Sequence, residues 1–143
     1  MYRKDFQKLA TERLSDARIL FDGGRFDAAY YLAGYAVECA LKACIAKRSR
    51  HHQFPVSPEI ARDIYTHDFN RLLKAAGLTR SVEATKEADS KLKVNWDGIV
   101  KDWNPKSRYD RNGTRVGKKK AEDMINAVAD PDHGVLQCLR TDW

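Results

Sequence analysis

The chain has 143 residues, 43% of them hydrophobic and 32% charged, the balance of a domain large enough to bury a core. Its net charge of +6 permits an anionic partner such as RNA, DNA, nucleotide or an acidic protein without demanding one. No run reaches the roughly 18 apolar residues of a membrane span, and the charged, amphipathic start MYRKDFQKLATERL lacks a signal-peptide core. The odd number of cysteines, Cys39, Cys44 and Cys138, reads as reduced core residues. One cytoplasmic domain spanning 1–143 is the expectation.

Phe6, Leu9, Ala10, Leu14, Ala17, Leu20 and Phe21 trace one stripe and predict a first helix over about 4–21. Asp22-Gly23-Gly24 ends it, because glycine accepts the left-handed conformation of a helix end. So short a connection makes an antiparallel hairpin with the next helix.

That second helix, over 26–47, is the one the chain is organised around. It has no proline and much alanine, and at 1.5 Å per residue it runs roughly 33 Å. It is apolar nearly all round, the pattern of a helix with neighbours on most sides. Glu38 and Lys42 interrupt it one turn apart. They read either as an i, i+4 ion pair on the one wet stripe or, with Tyr35, as side chains pointing into a functional cleft.

Residues 48–66 read as a loop broken by Pro55 and Pro58 and tacked down by Phe54 and Val56, with one helical turn over 60–64. Thr66 reads as the N-cap of a short third helix, buried through Phe69, Leu72, Leu73 and Ala76 and ended by Gly77. A fourth helical region comes in two parts, a weak one over 81–88 and a stronger one over 91–103, where Leu92, Trp96, Ile99-Val100 and Trp103 repeat at helical spacing. Asn104-Pro105 stops it. Lys106 to Lys120 is an exposed basic loop. The last helical region covers 118–139, with a kink or a restart at Asp130-Pro131 and with Ala121, Met124, Ile125, Val128, Val135, Leu136 and Leu139 inward. No segment reads as a strand. The fold class is all-α, a helical bundle of about five helices with an antiparallel N-terminal hairpin.

Three constellations carry candidate chemistry. Arg108, Tyr109, Arg111, Arg115 and Lys118 to Lys120 set positive donors around one aromatic, which suits phosphates and a stacked base, or else is a solvated loop. His51, His52, His67 and His133 are scattered and match no zinc spacing, so surface or capping roles are expected and neither metal nor cofactor. Arg62 precedes His67 by five residues. That pair suits RNA cleavage, histidine as acid or base and arginine on the phosphate, or is a coincidence of an exposed arginine and a histidine opening a helix.

Taken together, three stretches resemble the HEPN domain (higher eukaryotes and prokaryotes nucleotide-binding). They are DGGRFDAAY at 22–30 with YAVECALKA at 35–43, THDF at 66–69 with Leu72-Leu73, and Trp96 with WNPKSRY at 103–109. The resemblance spans about 14–139. It implies a four- to five-helix bundle, often a homodimer. It also implies either a metal-independent RNase, often a toxin beside a nucleotidyltransferase-like antitoxin, or a non-catalytic module that binds nucleotides, RNA or proteins. Arg62-Asp63 and His67 fit the catalytic spacing of the family but precede the short third helix. At the family's usual late position stand Arg108 to Gly113, with no histidine. The expectation is therefore a binding module in a two-component system, with a metal-independent endoribonuclease using Arg62 and His67 as the alternative. Glu38 and Lys42 are expected to face Arg108 and Tyr109, forming with Tyr35 and Arg111 a ligand or partner site.

Overall fold

The computed structural model describes residues 1–52, 54, 62, 64–105 and 116–143. Among them are seven α-helices and no strand. Helix α1, Arg3–Asp22, and helix α2, Phe26–Arg48, form the expected hairpin. Gly24 makes the turn at φ +78°, a left-handed conformation that a side chain resists. The Arg25 N–H closes it by donating to the Leu20 carbonyl at 2.8 Å.

Fourteen of the 23 residues of α2 are buried, so it is a core element with α1 and the later helices packed around it. Ala29, Ala33, Ala36, Ala40 and Ala43 are fully buried, and their small side chains let neighbouring helices approach closely. Leu41, Leu72, Leu92, Met124, Leu136 and Leu139 fill the space between. Truncating any of these leucines to alanine costs about 2–5 kcal/mol. All three cysteines are free.

After α2 the chain makes a 3-10 turn at Arg50–His52, and Phe54 is buried against Phe6, ring centroids 5.1 Å apart. Val56, Pro55 and Pro58 lie outside the described residues, as does much of the expected turn over 60–64. Helix α3 is Phe69–Ala75. Its N-cap is Asp68, whose carboxylate accepts the Arg71 N–H at 3.1 Å, not Thr66. Both residue types cap, but Thr66 instead accepts the Asp68 N–H and shapes the approach to the helix.

The fourth region differs most from expectation. It comprises α4, Thr79–Ala88, then α5, Ser90–Lys93, which widens into a π turn at Val94–Ile99 and tightens into a 3-10 turn at Val100–Asp102. The apolar spacing that predicts one regular helix is kept by Leu92, Trp96 and Val100, all buried, while Ile99 is only partly so. A π turn takes up an extra residue, and Gly98 lies within it. Finally, α6, Lys118–Ala129, and α7, Val135–Arg140, split at Asp130-Pro131, and every residue of their predicted stripe is buried. The described residues thus hold seven helices where about five helical regions are expected, because the fourth and fifth regions each divide.

The junction of α4 and α5 is clamped to the turn before α7. The Asp89 carboxylate caps α5, accepting the Lys91 and Leu92 N–H groups, and binds His133 Nδ1 at 2.8 Å. The bond from His133, then that from Leu92, hold the Asp89 carboxyl below its usual range.

Candidate functional site

A buried carboxylate on an apolar helix needs partners for both oxygens. Glu38 is 1% exposed, so the wet-stripe expectation fails for it. Lys42 Nζ binds Oε1 at 2.7 Å, and His67 Nδ1 binds Oε2 at 2.7 Å. The ion pair within the helix is as expected, but the second partner comes from the segment leading into α3. The bonds made by Thr66 and Asp68 fix that segment and with it the imidazole. Lys42 also stands 5.9 Å over the Phe54 ring.

This geometry decides the tautomer of the neutral ring. A carboxylate only accepts, so Nδ1 carries the proton, and Nε2 is left free to accept. The His67 side chain is about half-exposed, at 49%, and lines a cleft of about 730 Å³.

The far wall of the cleft is the π turn and the residues just after it, with Trp96, Asp97, Lys101, Trp103 and Pro105. Its apolar backing is an aromatic series. Phe69 stacks on Trp103 (5.0 Å, 4°), Trp103 tilts against Tyr31 (5.9 Å, 30°), and Tyr31 runs parallel to Tyr35 (6.2 Å, 4°). Trp103 is buried flat against α2 at Gly34, where a Cβ would occupy the place of its indole ring. Glycine at 34 is therefore what lets this wall close. Among the described residues the buried Trp103 indole N–H has no hydrogen-bond partner.

Lys86 crosses the cleft floor, 6% exposed, bonded to Glu83 at 2.8 Å and Asp97 at 2.9 Å and 5.4 Å from the Trp96 ring. Burial alone would lower its pKa, but the two carboxylates outweigh that and raise it. It is a fixed cation. The Tyr35 phenol is pushed up to about 12, by burial first and then by Cys39, Glu38 and Tyr31. Burial, then Glu38, pushes the Cys39 thiol to about 11. Near neutral pH both keep their protons.

Of the residues singled out in the sequence, the fold brings Tyr35, Glu38, Lys42 and His67 together. Arg62 is exposed, and among the described residues no hydrogen bond or ion pair joins it to them. Arg108, Tyr109 and Arg111 lie outside the described residues. Sequence reasoning missed Phe69, Lys86, Asp97 and Lys101 as cleft residues. It also missed the joining of Glu38 to His67. One signal pointed that way: the helix offers Glu38 only one cation, so the second partner had to come from elsewhere. Among the described residues no group of three or more His, Cys, Asp or Glu side chains is placed to hold a metal ion.

The family model of the HEPN domain matches residues 4–130. The chain belongs to the HEPN domain family. No match was found among curated proteins or solved structures. The helical bundle is the fold expected of a HEPN domain, and membership makes the chain, in general terms, a nucleotide- or RNA-related module. None of its described helices is long and apolar enough to cross a membrane.

Proposed function

We propose that this HEPN protein is a cytoplasmic, single-domain module that binds nucleotide, RNA or protein through the His67 cleft. It works as a homodimer, as one half of a toxin–antitoxin-like system with a nucleotidyltransferase-like partner. The observation that carries this reading is the half-exposed His67 imidazole, held from behind by buried Glu38 at the edge of an aromatic-backed cleft. A buried ion pair adds little net stability, so its value here lies in holding an outward nitrogen in place. The basic 106–120 stretch continues from the Pro105 rim and supplies charge for an anionic partner. Fluorescence anisotropy with labelled RNA tests this reading. His67→Ala should keep the fold and weaken binding about tenfold, the worth of a hydrogen bond to a charged group. Wild-type affinity in that variant would exclude the cleft.

The Glu38–His67 bond also favours a second reading, a metal-independent endoribonuclease. Nε2 would take the 2′-hydroxyl proton as O2′ attacks phosphorus, forming a 2′,3′-cyclic phosphate while the bond to O5′ breaks and water protonates the departing O5′, with Arg62 on the phosphate and Glu38 orienting the ring. Cleavage of RNA in the presence of EDTA, lost in both His67→Ala and Arg62→Ala, supports it. Undiminished cleavage in either variant rules that pair out.

A further inference from the structure

A second cleft, of about 420 Å³, opens on the other side of the π turn, where Tyr30, Asp102, Gly117, Lys119, Lys120 and Asp123 meet. The His67 cleft takes Trp96, Asp97 and Lys101 from this irregular segment, and the second takes Gly98, Ile99 and Asp102.

Two independent observations there point to an anion. The first is the start of α6. Its N-cap, Gly117, offers no side chain, and no acidic residue stands in the first turn. The first N–H groups of a helix carry partial positive charge and lack intrahelical acceptors. Sequences usually place Asp or Glu there, yet this one places Lys118, Lys119 and Lys120. Lys119 is neutralised by Asp123 at 2.6 Å. Lys120 instead leans over the Tyr30 ring, 5.2 Å from its centroid.

The second observation is Tyr30 itself. It is 3% exposed and lines this cleft. Among the described residues its hydroxyl has no hydrogen-bond partner, although buried phenols usually find one. Burial first, and then Asp102, raise its pKa, so it stays a donor. Asp102 would repel a bare anion but accepts from a hydroxyl, so the two charges together select a ligand that carries both groups.

We infer that this cleft binds a ribose phosphate. The phosphate sits on the free N–H groups of α6, with Lys120 and the Tyr30 hydroxyl donating to it, and a sugar hydroxyl donates to Asp102. The choice of a ribose phosphate rests on the proposed nucleotide- or RNA-binding function. The free nucleotide and the RNA backbone share this chemistry, so the test carries one probe for each.

AMP is titrated by calorimetry and a fluorescein-labelled RNA decamer by anisotropy, each against wild type, Tyr30→Phe, Lys120→Gln and His67→Ala. Tyr30→Phe removes only an unbonded hydroxyl, and Lys120 is exposed, so both variants should melt with wild type. The expected result is saturable binding of at least one probe, weakened about tenfold in each of these two variants. AMP as the affected probe identifies a nucleotide site, and RNA as the affected probe a backbone site. Binding at wild-type affinity in both variants, or no binding of either probe to wild type, overturns the inference. The His67 cleft is then judged by His67→Ala alone, so the two readings fail separately.

Discussion

Two buried charges serve the main cleft, Lys86 in its lining and Glu38 behind His67, and they are built alike. Glu38 takes one partner from its own helix, Lys42, and one from far along the chain, His67. Lys86 takes Glu83 from its own helix and Asp97 from the π turn. They differ in what the distant partner can do. Asp97 has no further nitrogen to offer and ties α4 to the cleft wall. His67 presents a second nitrogen to the cleft. The same architecture thus makes a clamp in one case and an oriented imidazole in the other.

Substitutions separate the two. Glu38→Ala removes a carboxylate that serves two partners and should cost about 3 kcal/mol in urea unfolding. That is the low end for breaking a buried pair, because Lys42 and His67 both retain access to water. Gly34→Ala comes next. It drives a methyl group into the Trp103 indole, costing about 2 kcal/mol by overpacking and displacing the wall that faces His67. Intrinsic Trp fluorescence should shift with the loss. Lys86→Met should cost about 1 kcal/mol or less, since Glu83 and Asp97, 57% and 39% exposed, rehydrate and the aliphatic stem is replaced. Equal losses for Glu38→Ala and Lys86→Met would erase the distinction.

The smallest effect concerns the Asp89–His133 clamp. Its carboxyl sits below the usual range when folded. Its contribution is therefore present above the ordinary carboxylate pKa and is lost as pH falls through the lower folded value. The difference in melting temperature between wild type and Asp89→Asn should shrink as pH drops from about 6 towards about 3, across the carboxylate range. A gap that stays constant would mean the carboxylate's charge plays no part.

Much of this was legible in the sequence, and the reasons are local. The α1–α2 hairpin follows from Gly24, the alanine-rich run and 3.6-residue periodicity, and α2 ends one residue from its predicted bound. The break at Asp130-Pro131 needs only proline's missing N–H. What the sequence hid is non-local or degenerate. Thr66 and Asp68 are both capping residue types, and Asp68 is the one that takes the cap. The π turn keeps Trp96 and Val100 inward, so its apolar pattern imitates a regular helix. The i, i+4 rule finds Lys42 for Glu38 but says nothing of a histidine 29 positions on. The expected partnership of Glu38 with Arg108 falls outside the described residues, while His67 takes up the second oxygen.

The central claim is that Glu38 holds His67 so that Nε2 serves the cleft. The imidazole nitrogens of His67, followed by 15N NMR while RNA is added, test it most directly. The account predicts that the neutral ring is protonated at Nδ1, that this preference is lost in Glu38→Gln, and that Nε2 shifts saturably with RNA. A ring protonated at Nε2, or an Nε2 signal indifferent to RNA that the protein demonstrably binds, would contradict it.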